Sequence, residues 1–406
     1  MKYLILGKGK NGEGIKLVLE HLKIDYDFLD TAEVKKLNYN LVIKSPGIPI
    51  DLPIFTEFKK KGIEVITDIE LCYRYFPRRY IAITGTNGKT STTKMLAEIL
   101  AKEVKAVACG NIGYTICQAI LEHPKDTIFV VELSSFQLNN CRLFKPEISM
   151  LLNLGTAHQD FHGNIPNYHQ AKVKIAINQT EKNLLIYNSE DKNILKMISD
   201  LKVSKLSFSS KISNNDCYLK GDYLYFKGQK IIKKKLFEQS LSVVADNVLA
   251  ALSTALYLGI SKQTIKKYFK EPKIDLHRLE PVGKYNFNDA KSTNPASAVM
   301  ALNKMTEPVL LLCGGKKRNE NLLELEPVLM KIKRAYAYGE TSLLLKEYFN
   351  KNNIECEVFV TLEEALISIK ANRKKKEVLL FSPMMASWDQ FKSYEERGEI
   401  FKNFWA

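Results

Sequence analysis

An α/β protein of three tandem Rossmann-like domains with mostly parallel sheets is expected from this chain, on three grounds. First, an apolar strand that runs into a glycine loop and then a helical pattern occurs at the N-terminus ("KYLILGKGKNGEGIKLVLEHL") and starts again after residue 78 ("YIAITGTNGKTSTTKMLAEIL"). Second, strand-like and helix-like stretches alternate through "TIFVVELSSF" and "ISMLLNLG", and again after "DLHRLEPVG" through "PVLLLCGGKK", "RAYAYG" and "EVLLFSPMMAS". Such alternation builds parallel sheets. Third, 406 residues suffice for two to four domains at about 150 residues each. A composition of 45% hydrophobic and 26% charged residues is that of globular protein with real cores.

The restarts divide the chain into 1–77, 78–276 and 277–406. In the first part "KYLIL" is a strand, "GIKLVLEHL" an amphipathic helix, "IDYDFLD" a second strand and "YNLVIKSPGIP" a third that ends in a turn. Residues 183–240 break the pattern: short strands such as "DYLYF" and "KIIKKK" indicate a small antiparallel insert. "SVVADNVLAALSTALYLGI" then returns to a strong helix. No repeat of 20–50 residues is visible.

No apolar run approaches the roughly 18–20 residues that span a bilayer, and "MKYLILGKGKNGEG" reads as a strand and not as a signal peptide. A cytoplasmic protein with no membrane partner is expected. The seven cysteines (72, 109, 117, 141, 217, 313 and 356) are scattered without a C-x-x-C pair, which points to reduced, core-filling thiols. The net charge of +15 is spread over dispersed runs (Lys59–Lys61, Lys233–Lys235, Arg373–Lys376) without interleaved aromatics. That pattern fits solvated faces and a small polyanionic substrate, not a nucleic-acid partner.

Four stretches carry chemistry. Gly85-Thr86-Asn87-Gly88-Lys89-Thr90-Ser91 lies between a strand and a helix, although Ile83 stands where a standard P-loop has its first glycine. Backbone N–H groups at such a helix start attract anions, Lys89 can neutralise phosphate charge, and the Thr90 hydroxyl can hold Mg²⁺. Glu132 ends an apolar strand, at the sheet edge where a carboxylate can ligate that ion. "LNLGTAHQDFHG" gathers His158, Asp160 and His162, a His-x-x-x-His pair without further soft ligands. Finally, Gly7-x-Gly9-x-x-Gly12 with Asp30 about 20 residues on is formally a dinucleotide fingerprint, which open α/β folds also use for other nucleotides.

Taken together these residues resemble the Mur ligase family, whose loop has the form T-G-T-N-G-K-[ST]. "CGNIG" (109–113), "ELSSFQL" (132–138), "HQDFHG", "YHQAK" (168–172), "LHRLE" (276–280), "NDAKSTNP" (288–295) and "SPMMASWDQF" (382–391) match in order, so the resemblance covers nearly the whole chain. "DAKSTN", "SPMMASWDQF" and "SPGIP" (45–49) are most similar to the members that add D-glutamate. The resemblance implies a monomeric, ATP-dependent amide ligase of peptidoglycan precursor synthesis with two Mg²⁺ sites. It would act on UDP-N-acetylmuramoyl-L-alanine and D-glutamate through an acyl phosphate. It assigns residues 1–77 to the UDP-linked substrate, 78–276 to a central P-loop ATP-binding domain, and 277–406 to the amino acid and further ATP contacts.

By position, the resemblance implies that Gly85 to Ser91, Asn247, Arg278, Asp289 and Lys291 meet ATP, with Lys89, Asn111, His158 and Lys172 catalytic. Thr90, Glu132, His158 and Lys172 (as a carbamate) would hold Mg²⁺. Gly9, Lys10, Asn11, Gly12, Asp30, Thr31, Ser45, Gly47, Asn111, Ser134 and Gln137 would bind the UDP substrate. Thr293, Lys317 or Arg318, Ser387 and Tyr394 would bind D-glutamate. The chain departs from the pattern in four places. Val243 and Val244 replace a His-Asn pair that touches adenine, Ala157 precedes His158, the glycine loop after residue 313 is shortened to "GGKKRNEN", and Tyr394 replaces the commoner Phe. Other members of the family and folylpolyglutamate synthetase-like ligases are the nearer alternatives, although the latter lack a counterpart of residues 1–76. An NAD-binding oxidoreductase would leave the loop at 85–90 without a role.

Overall fold

The computed structural model describes residues 2–49, 51–157, 159–238, 244–271, 276–318 and 320–405. They form two compact units, one of the described residues up to 271 and one of those from 276 onward. Among the described residues there are three sheets.

The first sheet is formed by β1 (Lys2–Leu6), β2 (Asp25–Leu29), β3 (Leu41–Lys44) and β4 (Glu64–Ile66), in the order β2-β1-β3-β4 and parallel throughout. β1 and β3 read as continuous apolar runs because both of their faces are covered, and Leu4, Ile5, Val42 and Ile43 are fully buried. The order reverses at β1, so the loops after β1 and β3 flank a topological switch point, where open α/β sheets take their ligands.

The second sheet belongs to the same unit. It comprises β5 (Arg79–Thr84), β6 (Ala106–Gly110), β7 (Ile128–Glu132), β8 (Ile148–Leu151), β9 (Leu184–Asn188), β10 (Ser204–Ser209), β11 (Cys217–Lys220), β12 (Tyr223–Phe226) and β13 (Gln229–Lys233). Its order is β13-β12-β11-β10-β9-β8-β5-β7-β6. The antiparallel part is smaller than the sequence suggests. β9 and β10 extend the parallel sheet from β8, and only β11, β12 and β13 form antiparallel pairs. Leu185, Ile186, Leu206 and Phe208 are buried and so belong to the main core.

The two sheets share one core. Tyr3, Ile5, Ile15 and Val18 of the first part pack in a single cluster with Ile116, Cys117, Phe129 and Leu138 of the second. Glu70 reinforces the seam by accepting the backbone N–H groups of Arg142, Leu143 and Phe144 at 3.1, 2.9 and 3.0 Å.

The second unit holds β14 (Glu280–Val282), β15 (Asn286–Asn288), β16 (Val309–Gly314), β17 (Ile332–Tyr338), β18 (Cys356–Phe359) and β19 (Val378–Met384), in the order β14-β15-β19-β16-β17-β18. Only the β14–β15 pair is antiparallel. All seven cysteines are buried and free, as their scattered spacing suggested. No helix among the described residues is long and apolar enough to cross a membrane.

Candidate active site

β5 ends at Thr84 and the helix Lys89–Leu100 begins five residues later. The turn between them is possible because Gly88, at φ 83°, adopts the left-handed conformation, where a side chain would also strike Asn247 Oδ1. Asn153, just after β8, fixes the loop from outside. It accepts the Asn87 N–H at 2.8 Å, returns its amide to the Asn87 carbonyl at 3.0 Å, and its own carbonyl accepts the Thr86 N–H at 3.0 Å. The turn is therefore held in shape by the chain itself, as a phosphate cradle at a helix N-terminus would require.

Two lysines converge on this loop. Lys89 Nζ donates to the carbonyls of Gly85 and Thr86, each at 2.9 Å, and Lys172 Nζ donates to the Gly85 carbonyl at 2.8 Å. Lys172 lies 4.7 Å from the centre of the Tyr168 ring, one helical turn earlier on the helix Ile165–Val173, and the Tyr168 hydroxyl donates to Thr86 Oγ1 at 3.2 Å. Burial pushes both ammonium groups below the ordinary lysine value. Lys172 is driven down further by the charge on Lys89, and Glu132 opposes the shift in each.

Glu132, at the end of β7, is 2% exposed. Its Oε1 accepts from Asn111 Nδ2 at 3.1 Å, while Oε2 is buried without a partner. A buried carboxylate oxygen left in this state is destabilising unless a cation completes it. A hard carboxylate oxygen of this kind suits Mg²⁺. Asn111, Glu132, Lys89 and Lys172 thus form one site at the carboxyl ends of neighbouring strands. His158 lies outside the described residues.

Of the residues expected to bind the UDP substrate, those before residue 77 lie just after β1, β2 and β3 of the first sheet, while Asn111, Ser134 and Gln137 follow β6 and β7 of the second. Gly9 caps the helix Lys10–His21, and Gly12 packs so tightly that a Cβ there would meet the Gly7 carbonyl oxygen. Asp30 accepts the Lys8 N–H at 3.1 Å, and Ser45 Oγ donates to the Gly7 carbonyl at 3.1 Å. Thr31 opens the short turn Thr31–Glu33, and Lys10 and Gly47 are exposed. Ser134 and Gln137 form a capping box at the start of the helix Ser135–Asn139, and Gln137 is 1% exposed.

In the second unit Asp289 joins two of the motifs: Oδ1 accepts the Leu279 N–H at 3.2 Å and Oδ2 accepts the Ser382 hydroxyl at 2.8 Å. Lys291 donates its backbone N–H to the His277 carbonyl at 3.0 Å. Arg278 and Thr293 are half-buried, Ser387 is buried, and Tyr394 begins the helix Tyr394–Trp405, its ring 6.2 Å from that of His277. Arg318 stacks 4.4 Å over the exposed Trp388 ring, while the neighbouring Lys317 is exposed.

Burial raises the Asp289 carboxyl to about 6, against the opposing charge of Arg278 and the hydrogen bonds of Ser382 and Leu279. The folded state then keeps a proton that the unfolded chain loses near pH 4. This unit should therefore lose up to about 3 kcal/mol as pH rises from roughly 4 to 6, and no more above that. Both tryptophans of the chain, Trp388 and Trp405, lie in this unit and report its unfolding. Denaturant titrations followed by their fluorescence should show the slope, and Asp289→Asn should flatten it.

Two contributors escaped the sequence reading. Asn153 follows a strand as an ordinary polar residue. Tyr168 is four residues before Lys172, a spacing that puts both on one helical face and is the signal that could have revealed their pairing.

The Mur ligase middle domain family matches residues 83–255. UDP-N-acetylmuramoylalanine–D-glutamate ligase of Bacillus cereus (strain G9842) is 37% identical over 377 residues, covering 91% of this chain and 84% of that protein. The counterpart from B. cereus strain ATCC 14579 is 38% identical over the same shares. Among solved structures, a pseudomurein peptide ligase type C from Methanothermus fervidus aligns with a TM-score of 0.63 at 14% identity, over 99% of both chains. MurF ligase from Thermotoga maritima in complex with ADP aligns with a TM-score of 0.62 at 17% identity, over 99% of this chain and 93% of that one. The structural likeness is one of fold, whereas the sequence identity runs along nine-tenths of the chain, and on that ground the chain belongs to the Mur ligase family.

Proposed function

We propose that this chain is an ATP-dependent amide ligase that joins D-glutamate to UDP-N-acetylmuramoyl-L-alanine in cytoplasmic peptidoglycan precursor synthesis, acting as a monomer. The observation that carries the reading is the identity to D-glutamate ligases along 91% of the chain. The preformed loop with Lys89, Lys172 and the unpartnered Glu132 oxygen supports it.

A carboxylate is a poor electrophile until one of its oxygens becomes a leaving group. Its oxygen attacks the γ-phosphorus of ATP, ADP departs, and an acyl phosphate forms. The D-glutamate amine then attacks the acyl carbon, loses a proton and expels orthophosphate. Bringing two anions together is the difficulty, and positioned positive charge is the remedy. Lys89 and the loop Gly85–Ser91, through the N–H groups at its helix end, hold the phosphates. Thr90, Glu132, His158 and a carbamylated Lys172 would hold Mg²⁺, which supplies charge neutralisation at the phosphoryl oxygens. Asn111 orients Glu132.

We further assign Gly9, Lys10, Asn11, Gly12, Asp30, Thr31, Ser45, Gly47, Asn111, Ser134 and Gln137 to the UDP-linked substrate. Asn247, Arg278, Asp289 and Lys291 are assigned to ATP, and Thr293, Ser387, Tyr394 and one of Lys317 and Arg318 to D-glutamate. We retain the division at 77 and 276 as a functional one into three domains.

A panel of amino acids tests the reading. With ATP, Mg²⁺ and UDP-N-acetylmuramoyl-L-alanine, orthophosphate release should require D-glutamate. Release driven instead by L-alanine, a diamino acid or a dipeptide would move the chain to another branch of the family.

A further inference from the structure

One buried carboxylate links segments that are distant in sequence and share one proposed ligand. Asp68 opens the helix Asp68–Tyr75 and is 1% exposed. Its Oδ2 accepts from Asn11 Nδ2 at 2.8 Å, and Gln137 Nε2 reaches Oδ1 and Oδ2 at 3.2 and 3.1 Å. The neighbouring Thr67 hydroxyl donates to the Gln137 carbonyl at 3.0 Å. Lys44, fully buried at the end of β3, donates to the carbonyls of Ser45, Pro46 and Ile48 at 3.3, 3.1 and 2.9 Å. Burial pushes the Lys44 ammonium down to about 8, and the charge of Asp68 holds it up.

The three segments are the glycine loop after β1, the "SPGIP" loop after β3 and the capped start of the helix Ser135–Asn139. Each contains residues assigned above to the UDP-linked substrate, while Asp68 and Lys44 are not among them. We propose that Asp68, with Lys44, is a positioning residue for the UDP-linked substrate, setting Asn11, the 45–49 loop and Gln137 in mutual register without touching the substrate. The proposal rests on the assignment of those loops to that substrate.

The chemistry requires a carboxylate. Asn11 and Gln137 both present N–H donors, so the central group must accept on both oxygens. An asparagine would turn an NH₂ toward one of them and leave a buried donor unpaired. The anion is also the partner that lets Lys44 stay charged while its three donors hold the loop.

Steady-state kinetics with each substrate varied in turn tests this on Asp68→Asn and Lys44→Met, with Asp30→Ala as the control for the loop assignment. Both positioning variants should raise KM for the UDP-linked substrate about tenfold or more. KM for ATP and for D-glutamate should stay within about twofold, the size of a surface substitution's effect. If Asp30→Ala raises the same KM and Asp68→Asn does not, the positioning role is overturned while the loop assignment stands. If Asp30→Ala also leaves it unchanged, the loop assignment itself fails. A fall in melting temperature with all three KM values and kcat shifted alike makes Asp68 merely structural, which also overturns the proposal.

Discussion

Lys89→Ala should lower kcat by about 10³-fold or more while the protein stays folded, with its melting temperature little changed. Removing one preorganised charge aimed at the transferring group typically has an effect of about this size. Lys89 is already desolvated: burial lowers its pKa, and its donors are directed at the Gly85 and Thr86 carbonyls. When a polyphosphate fills the loop, it offers the ammonium a far stronger acceptor than two carbonyls. The side chain therefore contributes little to the resting fold and much to the charged state. Lys89→Arg should also be severely impaired, because a planar guanidinium cannot sit as a compact point charge between the loop carbonyls. Phosphate release by the purified variants, beside their thermal melts, decides the matter. Near-normal turnover in a folded Lys89→Ala protein would remove the phosphate loop from the mechanism.

What the sequence revealed, and what it hid, follows from how local each signal is. The glycine loop was readable because its strand, turn and helix are contiguous, even with Ile83 in the first-glycine position. The parallel sheets were readable from the alternation of strand-like and helix-like stretches. The extent of the antiparallel region was misjudged because the alignment of β9 and β10 beside β8 depends on long-range pairing. Asp68, Lys44 and Asn153 carry no local pattern. Asp68 and Asn153 matter through partners as far as 69 residues away, as in the contact of Gln137 with Asp68, and Lys44 through the charge of Asp68 on another element, and no periodicity encodes such a meeting. Gln137 shows the converse. Its motif marks it for the substrate, yet its amide is spent on Asp68 and on the cap of its own helix.

Lys172 should lose activity on replacement by alanine and recover part of it with a small exogenous acid such as acetate, whereas Lys172→Arg should remain inactive. The side chain is 2% exposed, and burial together with Lys89 holds its pKa well below the ordinary lysine value. A neutral amine of this kind attacks the carbon of CO₂, the C–N bond forms and a proton leaves, giving a carbamate with charge −1. That change adds a second carboxyl-type anion to the surroundings of Lys89 and Glu132. Acetate in the space left by Lys172→Ala restores the anion without the tether, so partial rescue is expected. A guanidinium cannot take up CO₂ and keeps the wrong sign. Activity with and without acetate, and a carbamate carbon signal from protein equilibrated with ¹³C-bicarbonate, check this from two directions. If Lys172 instead acts as a second phosphate-facing cation, the arginine variant keeps much of the rate, acetate does nothing and the ¹³C signal is missing. The sign of the charge at this one position separates the two accounts, and an active Lys172→Arg enzyme would end the carbamate reading.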